Sequence, residues 1–154
     1  MRSMPNRNPL PIEQSLFFRM VLVVNLTARP FARIWGRKYK LNLTEWRVMI
    51  TLASCPGASA NDIARLSGLD KMTVSRSLAS MIRHGYVDRR NSREDRRRSI
   101  LALTARGRRV FATIAPSGAD RERALFADFS SAERARFGRL LDGIVARARE
   151  LPEG

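Results

Sequence analysis

Apolar residues recur at helical spacing along most of the chain, starting at Ile12. The first stripe comprises Ile12, Leu16, Met20, Val23, Val24, Phe31, Ile34 and Trp35. It is wide enough to need burial on more than one side, which indicates a surface that a second subunit covers. Pro30 is expected to kink or divide this helix, because proline lacks the amide hydrogen that an inner helical turn uses.

Three shorter helices are predicted next, each preceded by a residue that can cap it. Thr44, Ser59 and Asp70 are the predicted N-caps, and Asp62 completes a capping box with Ser59. Their inward-facing residues are Trp46, Met49, Ile50 and Leu52, then Ile63, Ala64 and Leu66, then Val74, Leu78, Met81 and Ile82. Because Gly68 separates the second helix from the third, this pair predicts a helix-turn-helix.

The segment after the helix-turn-helix predicts a β-hairpin and then two longer helices. Strand-like runs at 86–88 and 99–103 flank an arginine-rich loop. The next helix starts at Thr104 with an expected kink at 116–118, after which it resumes, and Ser130 caps the last helix in a box with Glu133. Apolar residues at helix-packing spacing follow, namely Phe137, Leu141, Ile144, Ala148 and Leu151. The predicted fold is mainly α with a small β-wing.

Charge and composition narrow the function. The 154 residues include 29 lysines and arginines against 14 acids, a formal net charge of +15, which favours nucleic acid as a partner. Cys55 and His84 are the single cysteine and histidine, too few for an internal disulfide or a Cys/His zinc cluster. Leu16–Leu26 is too short to span a bilayer, and no enzyme motif or cofactor loop is present. We therefore expect a cytoplasmic protein that binds no membrane, metal or cofactor and is not an enzyme.

The third short helix is the predicted DNA-reading element. With its apolar residues inward, its other side faces outward at the N-terminal half, with Arg76 able to bond bidentately to guanine and Lys71 acting as a point charge near the backbone. The predicted DNA-facing residues are Lys71, Met72, Thr73, Ser75 and Arg76. Ser59, Asn61 and Arg83 are candidate phosphate contacts, the first two at a helix N-terminus.

Five blocks of the sequence resemble, in order, the MarR family of bacterial transcriptional regulators, over roughly residues 12–151. The blocks are Leu43–Val48, Ala60–Ala64, Lys71–Arg76, His84–Val87 and Asp95–Thr104. The resemblance implies a winged helix-turn-helix, a homodimer joined by helices from both chain ends, and binding to palindromic operators. It also implies that Asp95 holds the wing loop while Arg97 enters the minor groove, with Arg93 and Arg96 as auxiliary contacts.

The pattern and the resemblance together predict four segments. They are a flexible N-terminal arm (1–11), an N-terminal dimerisation helix (12–40), a winged helix-turn-helix DNA-binding lobe (41–104) and C-terminal dimerisation helices (105–154). The predicted function is a homodimeric repressor that a small effector releases from its operator, with anionic aromatic compounds as the candidate class of effector.

The candidate effector site is defined by residue type alone. Arg33, Trp35, Tyr39 and Trp46 are candidate pocket residues by chemical type. Two alternatives to an effector-released repressor stay open: a basic architectural protein with little sequence preference, and a regulator that senses oxidants through Cys55.

Overall fold

The computed structural model describes residues 14–91 and 99–151. The helices within these ranges are α1 (Leu16–Phe31), a π-helical turn (Ala32–Gly36), α2 (Arg37–Tyr39), α3 (Leu43–Ser54), α4 (Ala60–Ser67), α5 (Lys71–Arg83), α6 (Ala105–Leu125) and α7 (Ser131–Glu150). The strands are β1 (Val87–Asn91) and β2 (Ser99–Leu103). The predicted fold class, mainly helical with a small β-wing, is confirmed.

The chain divides into two compact units, with the boundary between Ile114 and Ala115 in α6. The first unit holds the buried core. Its largest fully buried side chains are Leu41, Val48, Met49, Leu52, Ile63, Val74, Leu78, Met81, Leu101 and Ile114. The core thus joins α3, α4 and α5 to the hairpin and to the first half of α6.

The hairpin is tied to the helices through β2. The two strands pair antiparallel, with Val87 opposite Leu103. On the other side of β2, the amide of Gly57 donates to the carbonyl of Leu101 at 3.0 Å, and the amide of Leu101 donates to the carbonyl of Ala58 at 3.1 Å. The loop after α3 therefore acts as a third, very short strand and fixes the base of the wing.

The helix starts follow capping chemistry, with one correction. The predicted caps Ser59, Asp70 and Ser130 are confirmed. The prediction of Thr44 is wrong, because the side chain of Asn42 accepts from the Glu45 amide at 2.9 Å while the Glu45 carboxylate accepts from the Asn42 amide at 2.8 Å. This capping box starts α3 at Leu43, two residues earlier than expected.

Three apolar residues predicted to face inward are exposed: Ile50, Leu66 and Ile82. Ile50 and Ile82 each follow a fully buried methionine, and one residue turns a helix by about 100°, so they point away from the core. In α4 the one buried residue is Ile63, which leaves Leu66 on the solvent side. The spacing of apolar residues along a helix therefore did not distinguish the buried residues from apolar residues beside the buried face.

The two prolines inside helices behave differently. Regular α-helical bonding stops at Phe31, just after Pro30, and the π-helical turn follows, so the first stripe is divided where expected. The helix before it starts at Leu16, with Ser15 as its cap, rather than at Ile12, which lies outside the described residues. At Pro116, where a kink is expected, α6 continues as a single 21-residue helix that runs on to Leu125.

Candidate nucleic-acid interface

The N-terminus of α5 is fixed by the side chain of Asp70. One carboxylate oxygen accepts from the Thr73 amide at 2.8 Å and the other from the Thr73 hydroxyl at 2.6 Å. These bonds, the hydroxyl's foremost, hold the pKa of the Asp70 carboxyl below its ordinary value. The Thr73 hydroxyl hydrogen is committed to this cap, so Thr73 retains only its lone pairs for another partner.

The inner side of α5 is anchored in the core. Val74, Leu78 and Met81 are fully buried, and Ser77 is buried beside them. A helix held along this whole side has no freedom to rotate about its axis, so its outer residues keep a fixed orientation.

The outer side of α5 carries the predicted DNA-facing residues. Lys71, Met72, Ser75 and Arg76 are exposed, and Thr73 is half-buried in the cap. Among the described residues, Lys71 and Arg76 make no hydrogen bond or ion pair. Met72 exposes 63% of its surface, which leaves a large apolar side chain available for a partner. The surface therefore combines free cations with an apolar contact.

The three candidate phosphate contacts differ in availability. The Ser59 hydroxyl is used in the α4 capping box, where it donates to the Asp62 carboxylate at 2.7 Å and accepts from the Asp62 amide at 3.2 Å. Asn61 and Arg83 are exposed. Because Asp62 places a negative charge at the α4 N-terminus, that end is less favourable to a phosphate than the sequence alone indicated.

The wing residues singled out from the family resemblance, Arg93, Asp95, Arg96 and Arg97, lie outside the described residues. The described base of the wing adds two exposed arginines that were not predicted as contacts, Arg89 and Arg90. They were counted with the loop because the predicted strand ended at residue 88, whereas β1 extends to Asn91. Because side chains alternate along a strand, Arg89 and Arg90 lie on opposite faces of the hairpin.

The four candidate effector contacts fall into two groups. Trp46 is buried, with its ring stacked between those of Phe31 and Phe111 at centroid distances of 5.6 Å each. Trp35 and Tyr39 instead stack on each other at 6.1 Å, half-buried, with the Lys38 ammonium 5.9 Å and 5.4 Å from the two ring centroids. Arg33 is exposed, two residues before Trp35. Trp35, Tyr39 and Lys38 thus share a surface, while Trp46 belongs to the core.

Other chemistry is sparse in the described residues. Cys55 is an exposed thiol just after α3. Within residues 14–91 and 99–151, no group of three or more His, Cys, Asp or Glu residues is placed to hold a metal ion. No helix in the same ranges has the length and apolar character needed to cross a membrane.

A helix-turn-helix followed by an antiparallel hairpin and a long helix defines the winged helix-turn-helix class. Comparison with known proteins gives the family. Residues 39–98 match the family model described as MarR family. This match covers the winged helix-turn-helix region and confirms the resemblance carried by the sequence motifs.

Individual relatives agree with this assignment. The HTH-type transcriptional repressor YetL of Bacillus subtilis (strain 168) is 27% identical over 89 residues, which cover 58% of this chain and 53% of YetL. The chain spans about half the length of the curated relatives it matches.

Solved structures share the fold over most of the chain. A MarR/EmrR family transcriptional regulator from Acinetobacter sp. ADP1 superimposes with a TM-score of 0.83 at 23% identity, covering 92% of this chain and 100% of that one. The PcaV transcriptional regulator from Streptomyces coelicolor, solved in complex with its natural ligand, gives a TM-score of 0.75 at 20% identity, covering 96% and 99%. At these identities the likeness is one of fold.

Proposed function

We propose that this chain is a sequence-specific DNA-binding transcriptional regulator that acts in the cytoplasm as a homodimeric repressor on palindromic operators. The observation that carries the proposal is the outer side of α5, where Lys71, Met72, Ser75 and Arg76 are exposed on a helix whose other side is fully buried. A rigid helix that presents free cations and an apolar side chain suits the major groove, which offers both guanine acceptors and thymine methyl groups.

Each exposed side chain of α5 has a distinct role in this proposal. Arg76 bonds to the O6 and N7 atoms of a guanine, and Met72 contacts a thymine methyl group. Lys71 and Ser75 contact phosphate or a base edge. Thr73, whose hydroxyl hydrogen is held by Asp70, accepts a hydrogen bond rather than donating one.

The wing supplies the second contact. Arg97 enters the minor groove and Asp95 holds the loop, with Arg93 and Arg96 nearby, as the family resemblance implies. The hairpin base supports this role because β2 is bonded on both sides, to β1 and to the loop after α3. Asn61 and Arg83 are additional phosphate contacts.

The dimer is proposed from the apolar surface of both chain ends. Along α1 and α7 the exposed large apolar residues are Leu16, Phe17, Phe18, Val21, Leu22, Val23, Val24, Leu26, Phe137, Leu140, Ile144 and Val145. Leu16 and Phe17 each expose 72% of their surface. Apolar patches of this extent mark an interface. A two-fold dimer presents two copies of α5 to half-sites about one helical turn apart, roughly 10 bp.

An effector completes the proposal. Trp35, Tyr39 and Lys38, with Arg33 nearby, offer aromatic faces and positive charge, which suits an anionic aromatic compound. Repression is supported by the name of YetL, and ligand control by the ligand-bound PcaV structure. Release requires that the ligand bind more tightly to a conformation that fits DNA poorly. We expect no catalytic activity.

The test is binding-site selection from randomised duplexes at near-physiological salt, followed by titration of the selected duplex. We expect Arg76→Ala to weaken binding by about 1–3 kcal/mol and to relax preference at one base pair. Arg109 is also an exposed arginine, on α6, and Arg109→Ala should bind the duplex as tightly as the wild type does at the same salt concentration. If no sequence is enriched, the chain is a general nucleic-acid-binding protein and the proposal fails.

A further inference from the structure

A half-open cleft lies on the face of the hairpin that is turned away from the buried core. Its volume is about 510 Å³, within the range usual for small-molecule sites. It is lined by the loop after α3, both strands and the first turn of α6. A smaller cleft of about 300 Å³ adjoins it and shares Pro56, Ala102, Leu103 and Arg108.

The floor of this wing cleft is apolar. Ile100 and Ala102 alternate along β2 with the buried Leu101 and Leu103, so their side chains lie on the face turned away from the core. Both are half-buried, and Pro56 closes one side. An aromatic ring placed here would cover apolar surface that the fold leaves uncovered.

Two arginines with anchored guanidinium groups line the same cleft. The Arg108 Nη1 donates to the carbonyl of Leu103 at 2.8 Å, and the Arg90 Nε donates to the Asp88 carboxylate at 2.8 Å. Each bond uses one of the five N–H donors of a guanidinium group and leaves others for a ligand. Because the anchored groups are already oriented, less entropy is lost when they bind a carboxylate.

The charge balance of the lining favours a single anion. Asp88 compensates Arg90, whereas Arg108 donates to the neutral carbonyl of Leu103, so the lining keeps one net positive charge. The first turn of α6, with Thr104 and Ala105 in the lining, adds the positive end of a 21-residue helix.

We propose that the wing cleft binds a small aromatic monocarboxylate. Its ring lies on Ile100 and Ala102, and its carboxylate bonds to Arg108 and Arg90. This site is separate from the Trp35 and Tyr39 surface. Because the cleft spans both strands and the start of α6, an occupant holds the wing in one orientation to that helix. Binding does not depend on DNA recognition, but its effect on operator affinity rests on the proposed function.

To test this, the full chain is titrated with benzoate in the absence of DNA. Binding is followed by ¹H–¹⁵N NMR at constant ionic strength. We expect saturable shifts at the amides of Ala102, Leu103 and Ala105, and none with benzamide, which has the same shape without the charge. Arg108→Gln should raise the Kd about tenfold or more, because a charge-assisted pair is lost. Arg109→Gln, one position along α6 and outside the cleft, should bind benzoate as the wild type does.

Arg90→Gln is the second variant and lies at an exposed strand position. If thermal melting shows that Arg108→Gln does not fold, the benzoate affinity of Arg90→Gln tests the proposal instead. The proposal is overturned if both variants keep wild-type affinity, if benzamide binds equally well, or if the shifts centre on Trp35 and Tyr39. Operator binding is measured separately with benzoate absent. If benzoate does not bind, the DNA-binding proposal is unaffected. If the chain does not bind an operator, the proposal of a carboxylate site is likewise unaffected.

Discussion

Gly107 is the position where a single added methyl group should do the most damage. It is buried in the first turn of α6, against the backbone of Tyr86. A Cβ atom at Gly107 would overlap the carbonyl oxygen of Tyr86 and lie 3.0 Å from its carbonyl carbon. The obstacle is main chain, so no side-chain rotation relieves it, and Gly107→Ala must push α6 away from the hairpin.

The size of the effect follows from three contributions. Forcing extra volume into a packed site costs about 1–3 kcal/mol. Moving α6 also strains the bond from the Thr104 amide to the Tyr86 carbonyl, 3.0 Å long, and such a bond contributes about 0.5–1.5 kcal/mol. The better helix propensity of alanine offsets about 1 kcal/mol. We expect Gly107→Ala to lower the free energy of unfolding by about 2 kcal/mol, and Tm by about 4–8 °C.

Urea unfolding followed by circular dichroism measures this change, at one protein concentration for all variants. Gly118→Ala is the matched control, because it lies in the same helix with no atom within 4 Å of an added Cβ. It should leave stability unchanged or raise it by up to about 1 kcal/mol. Equal midpoints and slopes for Gly107→Ala and the wild type would refute the packing argument.

Three further predictions concern the core, the α5 cap and the chain ends. Trp46→Ala removes the middle ring of the Phe31–Trp46–Phe111 stack and should cost about 3–5 kcal/mol in urea unfolding, whereas a loss under 1 kcal/mol would place Trp46 outside the core. NMR titration should show the Asp70 carboxyl with a pKa below its ordinary 3.8. The cap therefore stabilises α5 above that pH and weakens as the pH falls through the lowered pKa. In Asp70→Asn the signal of the Thr73 amide should lose this pH dependence. Sedimentation equilibrium should give twice the 17.5 kDa mass of one chain. Leu22→Glu should lower this mass toward that of one chain, whereas Leu66→Glu, at a similarly exposed position, should not. A monomeric wild type would contradict the dimer.

The sequence was most informative where local chemistry decides the structure. Ser59 and Ser130 each have an acid three residues later, and both form the expected capping boxes. Gly68 adopts the left-handed conformation that ends α4, with φ of 68°. The hairpin followed from two strand-like runs around a polar loop. These features depend on neighbours within a few residues, which a sequence shows directly.

Features that depend on distant contacts were harder to predict. Trp46 is aromatic, like Trp35, but its partners Phe31 and Phe111 come from other helices, so its burial was not visible from its neighbours. Thr44 and Asn42 are both residue types that cap helices. The helix starts after Asn42 because Asn42 and Glu45 form reciprocal hydrogen bonds. The close approach of Gly107 to Tyr86 also had no sequence signal, because it joins two elements 21 residues apart.

The pairing of β2 on both sides has a consequence for how the protein behaves at high concentration. In the described part of the sheet, β1 is the edge strand, and an edge strand is a template for pairing with other chains. Its middle residues are Asp88, Arg89 and Arg90, all charged. Pairing of two such edges would have to remove water from these charged side chains, which disfavours strand-to-strand aggregation of the wing.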